Sequence, residues 1–114
     1  MTKTTMPPRA DRFNTGKRQW SMVDFESLEP MVEVLEYGAN KYSKDNWKQG
    51  LPVLEICESL LRHTFAFMAG EDKDPESGLS HIGHMMCNLM FLSYVMRVKK
   101  TEFDDRNHEG RNIN

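Results

Sequence analysis

His81, His84 and Asn88 are spaced i, i+3 and i+7 in an otherwise apolar run. At about 100° per residue a helix holds them within roughly 60° of one another. They form a narrow polar stripe whose members need partners once buried. Directly upstream, the stretch "AGEDKDPESGLSHIGH" (residues 69–84) carries Glu71, Asp72, Asp74 and Glu76. Hard oxygen donors beside imidazoles suit a divalent cation such as Mg²⁺ or Mn²⁺. The competing readings are a solvated acidic turn and a pair of satisfied core histidines. A calcium loop is excluded, because a twelve-residue loop from Asp72 requires Gly at its sixth position and Glu at its twelfth. The sequence places Ser77 and Gly83 there, with Pro75 intruding. Glu71, Asp74, Glu76, His81 and His84 are therefore candidate metal ligands. Glu71, Asp74 and His81 are the candidate catalytic set, and Asp72 is assigned to the surface.

Other residues can join this cluster only through the fold. His63 lies at the border of an apolar helix face with Arg62 beside it on the polar side. In an antiparallel hairpin His63 falls about two turns from the acidic loop, as a further candidate ligand. Glu29, Glu33 and Glu36 share one helix face, which is either solvated or supplies an E-x-x-E carboxylate pair across a bundle. Glu36 is the candidate ligand from this face. "RFNTGKRQW" offers Asn14, Gly16 and Lys17, where backbone amides and a lysine can hold phosphate oxygens, although no Walker spacing is present. "YGANKY" contributes Lys41 and Tyr42, and "DNW" contributes Asn46 and Trp47. An aromatic face and an amide can stack on and hydrogen-bond a base; the alternative is that these aromatics cover the end of a bundle.

The elements that must position these groups are helices. Apolar residues at helical spacing predict one helix over 26–42, with Pro30 tolerable only in a first turn. A second is predicted over 53–69, stopped by Gly70, and a third through about Val98, capped by Ser77 or Ser80. "SKDNWKQGLP" reads as a turn-rich connection. No alternating stretch argues for a strand, so the fold class is all-α. The expected organisation is an extended arm over 1–25, a helical domain over 26–98 and a polar, frayed tail over 99–114. The third helix is apolar on nearly every side but one and needs cover on several faces. Three helices provide too little, and a homodimer or homotetramer is the expected remedy.

Composition sets bounds on this picture. A chain of 114 residues makes one domain. Fifteen basic and 17 acidic side chains give a net charge of −2, so bulk charge offers no argument for binding polymeric nucleic acid or a membrane. Cys57 and Cys87 sit far apart in apolar runs and read as free thiols in a reducing compartment. The N-terminus lacks an apolar core for a secretory signal, and the longest apolar run is broken by Asn88 and Ser93. A cytoplasmic protein with no membrane span is expected.

Taken in order, "RFNTGK", "GANKYSKDNWKQG", "LLRH", "AGEDKDPESGLSHIGH" and the closing apolar helix resemble the phage-encoded dATP/dGTP diphosphohydrolase family. That family lies near the MazG-like all-α nucleotide pyrophosphohydrolases. The resemblance spans about residues 12–97. It implies a MazG-like bundle of three main helices completed by oligomerisation, acting in the host-cell cytoplasm. It further implies hydrolysis of purine deoxynucleoside triphosphates to the monophosphate and pyrophosphate with Mg²⁺ or Mn²⁺. Lys17, Lys41 and Arg62 would then neutralise phosphate charge, and Asn14, Tyr42, Asn46 and Trp47 would contact sugar and base. The general MazG pattern pairs an E-x-x-E helix with an E-x-x-D on a later helix. Here the later helix offers His81 and His84, and the nearest E-x-x-D is Glu71 with Asp74 in the loop. The alternative is a non-catalytic helical module that binds a nucleotide or a partner protein through its acidic stripe. An HD-type phosphohydrolase is disfavoured because the chain contains no His-Asp dipeptide.

Overall fold

A computed structural model describes residues 6–106, which are helical, with no strand among them beyond a single bridge between Lys73 and Ser80. The order is α1 (Glu29–Lys41), α2 (Val53–Met68), α3 (His81–Val98) and a final turn α4 (Lys100–Phe103). Short 3-10 turns at Trp20–Met22, Phe25–Leu28 and Asn46–Gln49 lead into or connect them. The all-α expectation holds.

Helix boundaries follow local chemistry. Pro30 occupies the first turn of α1, where its missing N–H leaves no bond unmade. α2 stops in a Schellman arrangement: the Gly70 N–H donates to the Phe67 carbonyl and the Glu71 N–H to the Ala66 carbonyl, both at 3.0 Å. The turn needs a left-handed residue, and Gly70 adopts φ 102°. Ser80 caps α3, accepting from the N–H groups of Ile82 and Gly83. Of the two candidate caps, Ser80 takes the role and Ser77 turns to His84 instead.

α3 packs on both α1 and α2. It runs antiparallel to α2, so that His63 meets His81 at one end and Val53 and Ile56 meet Val95 at the other. Gly83 lets α1 and α3 close up, because a Cβ there would run into the backbone carbonyl of Pro30. Further along, the Cys87 thiol donates to the Met31 carbonyl at 3.3 Å. The apolar core lies at the other end of α3, where Val53, Ile56 and Val95 are 3%, 2% and 1% exposed. Phe91, Leu92, Tyr94 and Phe103 pack around them.

The expected frayed tail requires a correction over its first residues. Residues 100–103 form α4, and the Phe103 ring packs on the core under Gly50. Asp105 Oδ1 accepts from the Leu54 N–H at 2.9 Å, satisfying one of the orphan donors at the start of α2. A single aromatic in a polar segment carries no period, so its burial is invisible to pattern reading. Residues 107–114 of the tail and 1–5 of the arm lie outside the described residues. The described part of the arm is exposed, with Phe13 at 85%.

One face of the bundle stays open. Leu54, Leu61, Phe65 and Met68 fall within roughly 60° on α2, and Ile82 and Leu89 fall together on α3; all six are exposed. Among the described residues, no helix is long and apolar enough to cross a membrane.

Candidate functional site

Between α1, α2 and α3 lies a cavity of about 910 Å³, large enough for a nucleotide-sized ligand. One end is polar, walled by His63, Asp74, His81 and His84. The other is more apolar, with Leu35, Ile56, Cys87, Phe91 and Trp47 on its walls.

The polar end is assembled from two helices and the acidic loop. The Schellman turn at Gly70 delivers Glu71 so that its Oε1 lies 2.7 Å from His81 Nε2. A carboxylate only accepts, so Nε2 carries a hydrogen, which in the neutral tautomer leaves the lone pair on Nδ1. His81 Nδ1 faces His63 Nδ1 at 2.8 Å. The loop itself is held by backbone bonds from the Asp74 N–H to Leu79, the Gly78 N–H to Asp74 and the His81 N–H to Asp72, between 2.7 and 2.9 Å. That folding turns Asp74 inward, and His63, Asp74 and His81 each bring one ligand atom within 4.8 Å of the others. Two imidazoles and a carboxylate at this spacing fit a divalent ion.

His84 stands beside the set. Its ring stacks on His63 at 4.4 Å with planes 2° apart, and Ser77 Oγ is bonded to its Nε2 at 2.8 Å. The Asp74 carboxylate is more distant from that nitrogen, at 3.9 Å, so Ser77 is the direct partner.

Burial sets the charge states of the polar end. It lowers the pKa of both His63 and His84, with neighbouring imidazoles adding to the effect. Burial alone would raise Asp74, but the Ser77 N–H and hydroxyl together with the nearby histidines hold it below the usual carboxylate range. His63 and His84 are therefore neutral and Asp74 ionised near neutral pH, the protonation states that metal ligation requires. Burial also pushes the Cys87 thiol up to about 12, which removes it as a nucleophile.

Most of the residues singled out from sequence meet at this cavity. Glu36, Lys41, Tyr42, Asn46, Trp47 and Arg62 line it, as does Glu76. Glu36 and Glu76 are exposed carboxylates that make no hydrogen bond or ion pair among the described residues. Glu33 points to solvent and does not line the cavity. Asn14 and Lys17 lie in the exposed arm, in a turn closed by the Lys17 N–H on the Asn14 carbonyl, and are not on the cavity wall. Trp47 is half-buried. It lines the cavity and covers the bundle end, stacked on Phe91 at 5.2 Å and edge-on to Tyr94 at 5.1 Å. Tyr42 is 65% exposed, and Lys41 Nζ sits 5.4 Å over its ring. The Tyr42 hydroxyl is the main cause of the raised Lys41 pKa.

Among the wall residues outside the candidate set drawn from the sequence are Ser59, Ser77 and Asn88. Asn88 is 8% exposed, and its Nδ2 donates to Ser59 Oγ at 3.2 Å and to the His84 carbonyl at 3.1 Å. Its Oδ1 has no partner among the described residues. Asn88 is visible in sequence as part of the polar stripe, but Ser59 and Ser77 carry no site signal until the helices dock.

A sequence profile of the family described as "dATP/dGTP diphosphohydrolase, N-terminal" matches residues 7–106. A protein named dATP/dGTP diphosphohydrolase from Salmonella phage PMBT28 is 33% identical over 95 residues. The aligned region is 83% of this chain and 32% of that relative, so the chain spans about a third of the relative's length. No solved structure matches.

Proposed function

The chain belongs to the dATP/dGTP diphosphohydrolase, N-terminal family, and from that premise we propose that its cavity hydrolyses purine deoxynucleoside triphosphates to the monophosphate and pyrophosphate. The observation that carries this reading is the convergence of His63, Asp74 and His81 at the polar end of a nucleotide-sized cavity. These three residues would hold a divalent ion, Mg²⁺ or Mn²⁺. Such an ion, when bound, neutralises phosphate charge and lowers the pKa of water.

The chain's own groups supply the rest. Arg62 and Lys41 bring positive charge to the triphosphate from α2 and α1. Glu36 and Glu76 are exposed wall carboxylates that make no hydrogen bond or ion pair among the described residues, and one of them would take the proton of a water as its oxygen bonds to the α phosphorus. The bond from that phosphorus to the bridging oxygen breaks, and pyrophosphate leaves. Positioning and charge neutralisation dominate such reactions, and little covalent chemistry is asked of the protein. Leu35, Ile56, Phe91 and Trp47 offer an apolar end for the purine, with Tyr42 and Asn46 at its mouth. The name of the phage relative supports this substrate class. The exposed apolar face of α2 and α3 is read as the seat of a second copy, giving a homodimer or homotetramer.

The test is incubation of the protein with each deoxynucleoside triphosphate and Mg²⁺ or Mn²⁺, followed by separation of products. Monophosphate and pyrophosphate from dATP or dGTP are expected. Their absence with every substrate and ion would leave the docking-module alternative.

A further inference from the structure

We infer that the polar end of the cavity is a transition-metal seat of two histidines and one carboxylate, His63, His81 and Asp74, which prefers Mn²⁺ or Co²⁺ to Mg²⁺, with Glu71 as a positioning residue outside the ligand set. This rests on the reading of the pocket as a metal centre, but not on the reaction carried out there.

Ligand identity comes first. Mg²⁺ takes oxygen donors, dehydrates reluctantly and is rarely held by an all-protein cage. Imidazole nitrogens suit first-row transition ions, whose affinities for a given site rise from Mn²⁺ toward Cu²⁺. Two of the three donors here are imidazoles, and His81 is 2% exposed, so few waters could complete a hydrated ion on its side.

Geometry agrees. The two Nδ1 atoms are 2.8 Å apart, close to the spacing of adjacent ligands at right angles when each lies about 2.1 Å from a common ion. As it stands this pair is a hydrogen bond, and moving the His63 hydrogen from Nδ1 to Nε2 would leave both lone pairs for that ion. His81 is already fixed in the required tautomer, because Glu71 engages its Nε2 at 2.7 Å. A carboxylate on the far nitrogen of a histidine is the arrangement that orients a ligand and raises its basicity. Asp74 is oriented in the same way: the Ser77 N–H donates to Oδ2 at 3.0 Å, and Oδ1 makes no hydrogen bond among the described residues. His84 is outside the set because only His63, Asp74 and His81 bring ligand atoms within 4.8 Å of one another; its Nε2 is bonded to Ser77.

The full chain, stripped of metal by chelation and free of nucleotide, is titrated calorimetrically with Mn²⁺, Co²⁺ and Mg²⁺, and bound Mn²⁺ is examined by pulsed electron paramagnetic resonance. One equivalent of Mn²⁺ or Co²⁺ binding at least about 100-fold tighter than Mg²⁺ is expected, with nitrogen couplings from two imidazoles on the Mn²⁺ signal. Glu71→Gln should keep the site with affinity lowered roughly 10- to 100-fold, while His63→Ala should remove it. Equal affinity for Mg²⁺ and Mn²⁺, or a Mn²⁺ signal without nitrogen coupling, overturns the proposal without requiring any variant to fold. Loss of all binding in a folded Glu71→Gln would make Glu71 a ligand and overturn its assignment. Metal binding as expected with no hydrolysis would sink the proposed reaction and leave this inference standing. Hydrolysis supported by Mg²⁺ with no nitrogen-coupled Mn²⁺ site would do the reverse.

Discussion

At its N-terminal end α3 buries His81 and Asn88, whereas at its C-terminal end it buries Val95 against Val53 and Ile56. The same helix thus meets two different demands along its length. At the apolar end, burial is favourable by itself, and side-chain shape does the rest. At the polar end each buried group must find a partner, and the partners come from a loop and a neighbouring helix: Glu71 and Ser77 from the one, His63 and Ser59 from the other. Polar groups so buried contribute little to stability, since each bond replaces one to water. The apolar end therefore holds the fold, and the polar end uses that hold to keep three imidazoles together.

The largest expected effect breaks this division at the polar end. His81→Ala and Asp74→Ala should each lower triphosphate turnover by more than about 100-fold, beyond what loss of a merely supporting group costs. The circular-dichroism helix signal should survive. Turnover retained in either variant would move the chemistry away from this end of α3.

Val95→Ala tests the other end. Removing buried methyl groups at about 0.8 kcal/mol per carbon, plus the cavity left behind, should lower the unfolding free energy by about 2 kcal/mol or more. A denaturant titration measures this, and KM for the nucleotide should stay as in the parent, because Val95 is not on the cavity wall.

The two ends should also differ in acid. The folded-state pKa values of His63 and His84 lie below their ordinary 6.5, chiefly through burial. The unfolded chain therefore takes up protons that the folded chain resists. Stability from this source is complete above about pH 6.5 and declines as pH falls below it toward the depressed values. Melting temperatures between about pH 7.5 and 5.5 should show that decline, and His84→Gln should make it shallower. An unchanged slope would mean that the imidazoles are not buried as described.

The smallest effect on the fold is expected on the open face. Leu89 is 54% exposed, so Leu89→Lys should change the stability of an isolated chain by no more than about 0.5 kcal/mol. If a second copy covers this face, the same change shifts the mass in light scattering toward the monomer. A mass unaffected by the substitution would place any partner elsewhere.

Much of this contrast is legible in the amino-acid sequence. Long apolar periods mark α2 and α3 nearly to their ends, and the His81–His84–Asn88 stripe marks the polar end because polar residues on a greasy helix need a reason. Other features depend on docking. Glu33 and Glu36 share a helix face in sequence, yet only Glu36 reaches the cavity, since the seating of Pro30 against Gly83 sets how α1 lies on α3. Ser77 reads as a helix cap until the loop folds back and brings it to His84. Phe103 belongs by composition to a polar tail, and only the space beneath Gly50 explains its burial. Asn14 and Lys17 have suitable chemistry, but no apolar contact draws their arm to the cavity.

Heteronuclear NMR of the chain with a divalent ion and a non-hydrolysable α,β-methylene analogue of dGTP tests the central claim most directly. The account predicts that the imidazole signals of His63, His81 and His84 shift on addition of the analogue, together with the Trp47 indole, while the methyl groups of Leu61 and Leu89 on the open face do not. Shifts confined to that face, with the three imidazoles unmoved, would contradict it.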